Sequence, residues 1–364
     1  MKLKILDGQS SPFPAQMQDR LLALDGLRAI SILLVILSHA GLGYIVPGGL
    51  GVTIFFFISG FIITRLMVSE WDRVGYVSIR KFYIRRFFRL MPALLIFILC
   101  ALTVMQMASV NWRWVELGSV FFYFANYFGI FVGFSENALP SPLSITWSLA
   151  VEEHFYMIFP VMFAALIAVP KRFLSLVVFL LVLFLGWRIY LVYGLGLANL
   201  PDSRIYKATD TRADSILYGT ALALLLVRKE FVFDLLKQKS VFVFGVLLML
   251  ISLFLRDENF RESYRYSLQG VALFLMFVNL VLVDGLISRI LSSYPLVYIG
   301  KISYSLYLYH WLVYCLMALW MPSWSLPVKI IVMMTSSLLL ADVSYRLIEK
   351  RFLVIGHRYV NDLA

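Results

Sequence analysis

Long apolar runs repeat along the whole chain and are separated by short polar connections. A helix needs about 20 mostly apolar residues to cross the hydrocarbon core of a bilayer. Eleven runs approach that length: 27–45, 50–69, 91–108, 118–134, 150–169, 173–194, 213–227, 241–255, 267–287, 296–320 and 328–349. No stretch between them is long and polar enough for a separate soluble domain. The pattern predicts an all-α polytopic membrane protein.

The distribution of lysine and arginine predicts which side of the membrane each connection faces, because cytoplasmic connections carry an excess of both. The richest connection, 70–90, is predicted to be cytoplasmic, and so are the N-terminus and the basic C-terminal end. Two termini on one side require an even number of crossings. We therefore expect about ten transmembrane helices, with 118–134 as a re-entrant or interfacial segment.

This topology divides the chain into three parts. Residues 1–22 are predicted to be a cytoplasmic N-terminal segment, 23–352 a transmembrane domain, and 353–364 a cytoplasmic tail. The polar start lacks the short apolar core and small-residue cleavage site of a signal peptide. We therefore expect the first apolar run to be retained as a helix.

Composition supports the membrane assignment and removes one rival. Of the 364 residues, 61% are hydrophobic and 15% are charged, and the mean hydropathy is +0.86; soluble domains have about 25% charged residues. The net charge of +11 would suit a nucleic-acid partner in a soluble protein, but no nucleic-acid-binding signature or isolated basic domain is present. The excess of positive charge in cytoplasmic connections accounts for it, and we expect no nucleic-acid partner.

Ionisable residues inside apolar runs are costly, and they indicate functional sites. Arg28 and His39 are eleven residues apart in the first run. On a helix this spacing places both on one face, with His39 about 16 Å deeper at 1.5 Å per residue. A neutral imidazole at that depth can act as a general base towards a hydroxyl. The alternative is a hydrogen-bonded histidine that only packs helices together.

Two acidic clusters lie at the predicted outer ends of crossings. Glu152 and Glu153 are adjacent, so their side chains point about 100° apart on a helix. They either orient a catalytic histidine or acceptor hydroxyls, or favour a helix N-terminus. Asp210, Arg212 and Asp214 begin another crossing. They either bind a polar acceptor or neutralise one another in a structural network.

A basic cluster, Arg85, Arg86 and Arg89, precedes a predicted cytoplasmic helix start. The planar guanidinium suits capture of phosphates, whereas plain topology signals or anionic-lipid contacts are the alternative. Covalent serine chemistry has no support, because the chain has no G-x-S-x-G motif. We also expect no metal site, because no zinc-type spacing relates the four histidines, which are His39, His154, His310 and His357.

Six segments in a fixed order resemble the bacterial membrane-bound acyltransferase family 3, whose members O-acylate lipopolysaccharide, exopolysaccharide and other glycans. They are "LDGLRAISILLVILSHA", "GGLGVTIFFFISGFIIT", "RRFFRLMPA", "TWSLAVEEHFY", "DTRADSILYG" and "IGKISYSLYLYHW", and they span about residues 23–312. A late "YRLIEKRF" is also similar to the end of the family's domain. The order of six motifs is far more specific than any single one.

The resemblance implies a coenzyme A thioester donor, usually acetyl-CoA, and an essential arginine and histidine in the first helix, here Arg28 and His39. It also implies functional roles for the arginine-rich motif (Arg85, Arg86 and Arg89) and for the carboxylate of the "WSL" motif (Glu152). His154 stands where relatives often have Gln, so it receives no catalytic role. Larger members add a soluble hydrolase-like domain after the membrane domain, and we expect this protein to work without one. We therefore expect the membrane domain to complete the transfer alone or to pass the group to another protein.

Together these observations predict an O-acyltransferase, most simply an O-acetyltransferase, in the bacterial cytoplasmic (inner) membrane. It would use cytoplasmic acetyl-CoA or another acyl-CoA and a glycan acceptor such as lipopolysaccharide O-antigen or exopolysaccharide. His39 deprotonates the acceptor hydroxyl and Arg28 positions the donor; a transient acyl-histidine is the alternative. The outward acidic clusters, with Glu153, Asp210, Arg212 and Asp214, are predicted to contact the acceptor. Membrane lipid and envelope-glycan assembly proteins are the expected partners.

Two rival functions use the same residues differently. A transporter of a glycan or polar metabolite would suit the intramembrane charges equally well, but it would need no acyl-CoA. A purely structural subunit of an envelope-glycan machine should tolerate the substitution His39→Ala.

Overall fold

The computed structural model describes residues 15–137, 140–199, 204–228 and 230–362, and these residues form helices and connections without any β-strand. The α-helices in chain order are α1 Ala15–Leu37, α2 Gly48–Val74, α3 Ile79–Met107, α4 Trp114–Phe121, α5 Ala125–Phe131, α6 Trp147–Leu166, α7 Pro170–Ile189, α8 Arg204–Lys207, α9 Thr209–Arg228, α10 Glu230–Leu236, α11 Lys239–Phe254, α12 Glu258–Glu262, α13 Arg265–Phe277, α14 Leu286–Leu291, α15 Tyr294–Lys301, α16 Ser303–Trp320, α17 Leu326–Ser344 and α18 Lys350–Asp362. Four π-helical turns extend or join them, at Ser38–Leu42, Tyr190–Gly194, Val278–Leu282 and Tyr345–Glu349, and 3-10 turns lie at Pro142–Thr146 and Leu197–Asn199.

The prediction of a multi-pass helical membrane protein is confirmed. Within the described parts of the chain, seven continuous helical segments are long and apolar enough to cross a membrane. They are Leu22–Leu42, Gly48–Val74, Ile79–Met107, Pro142–Leu166, Pro170–Gly194, Arg265–Leu282 and Leu326–Asp362. The pair α15 and α16, bent by 73°, makes an eighth if it is one broken span. The predicted crossings at 213–227 and 241–255 correspond to α9 and α11, which do not meet the same criterion.

The predicted re-entrant segment, 118–134, contains no spanning helix. It is divided between α4, of 8 residues, and α5, of 7 residues, each only about 10–12 Å long at 1.5 Å per residue. Tyr123, with a φ of 59°, breaks the helix between them. The Glu116 carboxylate accepts from the Ser135 backbone N–H at 3.1 Å, and Arg113 Nη2 donates to the Gly133 carbonyl at 2.6 Å. These bonds bring the two ends of the segment together.

The centre of the bundle is the packing of α9 along α2. A Cβ on Gly60 would lie 1.9 Å from the Ile216 carbonyl oxygen, and a Cβ on Gly219 would lie 1.9 Å from that of Phe57. The two backbones therefore approach as closely as glycine allows, as small residues permit in membrane helix interfaces. Because lipid tails are as apolar as leucine, this close packing stabilises the pair where the hydrophobic effect contributes little.

Several helix starts differ from the predicted boundaries, and two of these differences change where the α3 arginines and Glu152 lie in their helices. α3 begins at Ile79 rather than near residue 91, so Arg85, Arg86 and Arg89 lie inside its first half and not before it. The Pro142–Thr146 3-10 turn begins the next crossing ahead of the predicted start at 150. We use the term arginine side for the membrane side at which α2 ends and α3 begins.

Candidate functional site

A partly open cavity lies among α1, α2, α6 and α16. Its walls combine aromatic rings with a few hydroxyl and charged groups. The lining residues are Arg28, Val52, Phe55, Phe56, Ser59, Ser148, Leu149, Glu152, Ser303, Tyr304 and Tyr307. Two of the residues singled out in the sequence, Arg28 and Glu152, therefore face one space although they are far apart in the chain.

The Glu152 carboxylate is held by two neighbouring helices. Ser59 Oγ donates to its Oε1 at 2.7 Å, and Arg86 Nη2 lies 3.9 Å from its Oε2. Because Ser59 is near the middle of α2, Glu152 lies at mid-depth. Its predicted place at the outer end of a crossing is therefore wrong, because the helical turn that begins this crossing starts earlier in the chain.

The three arginines of α3 that the sequence analysis singled out have different surroundings. Arg86 already has protein partners: Nε bonds to Glu153 at 2.7 Å, and the guanidinium lies 3.2 Å from the centre of the Tyr156 ring. Arg85 faces Glu70 at 3.5 Å. Arg89 is exposed and, among the described residues, it has no hydrogen bond or ion pair.

Arg89 nevertheless belongs to the same charged region as the cavity. Its guanidinium lies within electrostatic reach of Arg28, Arg86 and Glu349, and Arg28 in turn lies 3.7 Å from Asp25. Glu349, which sequence reasoning did not single out, is buried and accepts a hydrogen bond from Ser305. The region therefore has one unpaired guanidinium beside a cavity that already contains another.

His39 does not line the cavity but lies in the next layer of the bundle. It occupies the Ser38–Leu42 π-turn that continues α1, where Gly41 has a φ of 107°. π-turns within helices occur frequently at functional sites because they re-aim side chains. The residues that follow, through Gly48, connect α1 to α2 on the side opposite the arginine side.

The partner of His39 is another histidine, His310 of α16. His39 Nδ1 and His310 Nε2 are 3.0 Å apart, and the edge of the Trp311 ring packs against His39 at 4.9 Å between centroids. His310 Nδ1 lies 3.2 Å from the Leu306 carbonyl oxygen. His310 is fully buried, so the pair is fixed on a rigid helix.

Tyr307 connects this pair to the cavity. Its ring lines the cavity and lies 5.6 Å from the His310 ring, centroid to centroid. Its hydroxyl accepts from Ser148 Oγ at 2.6 Å and donates to the Ile145 carbonyl at 3.0 Å. The cavity and the histidine pair are thus neighbouring parts of one site, with Tyr307 between them.

Asp210, Arg212 and Asp214 do not form one network. Asp210 bonds to Arg204 at 2.5 Å and to Trp187 Nε1 at 2.7 Å. Arg212 is buried, donates to Thr53 Oγ1 at 3.1 Å and stacks on an aromatic ring. Asp214 pairs with a residue of α7, Arg188, at 2.7 Å, with both side chains fully buried.

Of Asp210, Arg212 and Asp214, Asp210 is the most accessible, with 35% of its side chain exposed. The Tyr127 hydroxyl donates to its Oδ1 at 3.0 Å. Burial, together with this neighbouring carboxylate, raises the pKa of the Tyr127 phenol above its ordinary value. The phenol therefore stays a hydrogen-bond donor to Asp210 at physiological pH.

Sequence reasoning missed several residues of the site. Arg188 is an ionisable residue inside an apolar run, the same signal that identified Arg28, and it could have been found in that way. His310 lies within the quoted motif "IGKISYSLYLYHW" and was considered only for zinc spacing. Ser59 and Tyr307 have no signal of their own, because serine and tyrosine are common in membrane helices. Within the described residues, no group of three or more metal-ligating side chains occurs.

Comparison with known proteins gives a consistent result. The profile described as "Acyltransferase domain" matches residues 21–346. The chain is 31% identical over 358 residues to the peptidoglycan O-acetyltransferase OatA of Listeria monocytogenes, covering 90% of this chain and 55% of that protein. It is 30% identical over 343 residues to the O-acetyltransferase OatA of Staphylococcus aureus, covering 90% and 56%. The chain thus spans a little over half the length of these curated relatives. No solved structure matches it significantly.

Proposed function

Since the chain belongs to the membrane-bound acyltransferase family 3, we propose that it transfers an acetyl group from acetyl-CoA to a hydroxyl of a cell-envelope glycan. The observation that carries the proposal is the cavity in which Arg28 and Glu152 face one another, one layer from His39. The site has a cationic group for an anionic donor, an acceptor of hydrogen bonds and an imidazole. These are the parts that acyl transfer to an alcohol requires.

The proposed topology has ten crossings. In addition to the seven apolar spans and the bent pair, α9 and α11 would cross, while α4 and α5 would return to their own side. Both termini and the arginine side would then face the cytoplasm of a bacterial inner membrane, in agreement with the basic α2–α3 connection. This orientation gives cytoplasmic acetyl-CoA access to Arg89 and an envelope glycan access to the other side.

The donor would be held mainly through its phosphates. Of the three predicted donor-binding arginines, Arg89 is exposed and has no partner among the described residues, and guanidinium groups bind phosphate through charge-assisted, often bidentate, hydrogen bonds. Arg86 has both carboxylates of α6 as partners, so its role would be to hold Glu152 and Glu153 in place. Of the predicted donor-binding arginines, Arg89 is therefore the best placed for direct contact.

In the proposed reaction, His39 takes the proton from the acceptor hydroxyl as the oxygen attacks the thioester carbonyl. The new C–O bond forms, the C–S bond breaks, and the protonated imidazole returns its proton to the leaving thiolate. Arg28 would stabilise the negative charge that develops in the donor, and Glu152 would orient a substrate N–H or O–H in the cavity. An acyl-His39 intermediate is the alternative, with transfer in two steps.

The acceptor is proposed to be an envelope glycan. The relative from Listeria monocytogenes is named for peptidoglycan, which makes peptidoglycan a candidate beside lipopolysaccharide O-antigen and exopolysaccharide. Asp210, whose carboxylate is partly exposed, is the best-placed contact of the predicted acceptor set. Glu153, Arg212 and Asp214 are already occupied by protein partners or buried, so we assign them to support of the site.

The proposal is tested in membranes that contain equal amounts of wild type or His39→Ala, supplied with acetyl-labelled acetyl-CoA. We expect label in envelope glycan with wild type and none with the variant. His357→Ala is the matched control, because His357 is exposed on α18, and it should label like wild type. Equal labelling by His39→Ala would remove His39 from the reaction. Absence of label with every candidate glycan would contradict acetyl transfer and favour transport.

A further inference from the structure

We propose that His310 is the positioning residue for His39: it fixes the tautomer and the direction of the imidazole so that Nε2 of His39 carries the free lone pair. The inference rests on the proposed role of His39 as base. His310 is not part of the cavity wall and would contact no substrate atom. Its effect would be exerted entirely through the 3.0 Å contact between His310 Nε2 and His39 Nδ1.

The backbone determines the direction of the hydrogen bond between the two rings. His310 Nδ1 lies 3.2 Å from the Leu306 carbonyl oxygen, and a carbonyl oxygen can only accept. His310 therefore carries its proton on Nδ1, and because a neutral imidazole has a single N–H, its Nε2 is an acceptor. His39 must then donate from Nδ1, which leaves Nε2 of His39 without a proton.

This chain from Leu306 to His310 to His39 has the form that catalytic bases commonly need. A histidine acts as a base from one ring nitrogen only when the other is protonated, and a hydrogen-bond acceptor at that other nitrogen selects the tautomer. Here the acceptor is a neutral imidazole instead of a carboxylate. When His39 takes a proton, the lone pair of His310 Nε2 still accepts the hydrogen bond from Nδ1–H of His39. This bond stabilises the imidazolium, because hydrogen bonds from a charged donor are stronger.

The surroundings keep the pair in this geometry. His310 is fully buried, and the Trp311 ring packs edge-on against His39 while its own Nε1 donates to the Ser141 carbonyl at 3.0 Å. On the other side, the π-turn that carries His39 contains Gly41, with a φ of 107° that residues other than glycine rarely adopt. The ring of His39 is therefore held by two residues of α16.

The first test reads the tautomer without reference to activity. The full chain, labelled with ¹⁵N-histidine in detergent micelles, is compared with His310→Phe and His310→Gln by NMR, and His39 is assigned with His39→Gln. We expect a protonated Nδ1 on His39 in wild type. His310→Gln should preserve it, because the Gln oxygen can reach the position of Nε2, whereas His310→Phe should shift His39 towards the Nε2–H tautomer.

The second test measures transfer by the same proteins. His310→Phe should lower kcat by about 100-fold, towards the lower end of what general acid–base catalysis contributes, with KM for acetyl-CoA unchanged; His310→Gln should recover most of the rate. A fully active His310→Phe would overturn the positioning role even if the tautomer is as expected.

The two tests fail independently. If neither wild type nor any variant transfers acetyl, the proposed function is contradicted, but the spectra still decide the direction of the hydrogen bond between His39 and His310. If His310→Phe does not accumulate, the wild-type spectrum decides alone: Nε2–H on His39 there would overturn the inference, and Nδ1–H together with an active His310→Gln would support it.

Discussion

Two charged clusters inside the helix bundle contrast sharply. The cavity cluster consists of Arg28, Ser59, Arg86, Glu152 and Glu153, and three of its members, Arg28, Ser59 and Glu152, line an open space. The Arg188 cluster consists of Arg188, Thr211, Asp214, Ser263 and Ser267. Both place ion pairs among apolar helices, where unpaired charge is expensive, yet only the first has members that line the cavity described above.

The Arg188 cluster is nearly saturated. Its guanidinium donates from Nε to the Ser263 carbonyl at 2.9 Å, from Nη1 to the Thr211 carbonyl at 2.6 Å and from Nη2 to Asp214 at 2.7 Å. Arg188 and Asp214 are both fully buried. All three nitrogens are used to tie α7, α9 and the start of α13 together. In the cavity cluster, by contrast, 18% of the Arg28 and of the Glu152 side chain is exposed.

The difference shows that an intramembrane charge alone does not indicate function; the number of its donors and acceptors already in use is the better guide. A group with every nitrogen or oxygen occupied has a structural role, and removing it should affect stability. A group that faces a cavity should affect activity instead. The following substitutions test this separation.

The largest expected effect is on stability, from Arg188→Leu. Removing one partner of a buried ion pair leaves Asp214 uncompensated and costs about 3–5 kcal/mol, enough to abolish most folded protein. The measurement is thermal unfolding and yield of monodisperse protein in detergent. Arg289→Ala removes an exposed pair with Asp284 and should be close to neutral as the control. An Arg188→Leu protein that is as stable as wild type would contradict the structural role.

The sequence could predict the fold class and part of the site. The residues Asp210, Arg212 and Asp214 show why it could not predict the rest. Hydrophobic length identifies membrane helices, and ionisable residues in or beside apolar runs pointed to Arg28, His39 and Glu152. Which charges meet is decided by helix packing, and the Asp210, Arg212 and Asp214 side chains diverge to three different partners although they lie within five residues. That divergence follows from the 100° turn per residue combined with neighbours that the sequence does not name.

The uncertain position of helix ends is a second reason why the sequence could not predict the whole site. Arg85, Arg86 and Arg89 look like a uniform basic patch before an apolar run, because the helix that contains them starts with polar residues. Once α3 begins at Ile79, the three side chains point in different directions and meet different partners. The polar hydroxyls of Ser59 and Tyr307, and the pairing of His39 with His310, depend on contacts between helices that no single-sequence pattern encodes.

The next effect in size is on catalysis, from Glu152→Gln. The amide keeps the volume but loses the charge and one acceptor site, so we expect transfer to fall about 100-fold. Arg86 keeps Glu153 as a partner at 2.7 Å, and the unfolding temperature should therefore change little. The rate is measured as acetyl transfer in membranes, and Glu258→Gln, on exposed α12, serves as the control for loss of a carboxylate. A large loss of stability with unchanged specific activity would place Glu152 with the structural charges.

The smallest and most specific effect is on donor binding, from Arg89→Ala. Loss of one charge-assisted contact to phosphate should raise KM for acetyl-CoA about tenfold, a difference of about 1.4 kcal/mol, with kcat and stability unchanged. Arg80→Ala removes the same charge from an exposed position nearer the start of α3 and controls for non-specific attraction. Added salt should reduce any effect of Arg80→Ala more than that of Arg89→Ala, because exposed charges are screened most.

An acetylated pantetheine thioester, which lacks the nucleotide phosphates, sharpens this test. Wild type and Arg89→Ala should use it equally, because the contact that Arg89 provides is absent from both reactions. If Arg89→Ala is impaired to the same degree with both donors, its guanidinium acts on the chemistry or on Glu349 and not on phosphate. The exposed, unpaired arginine would then belong with the supporting charges, and the donor would have to be held through Arg28.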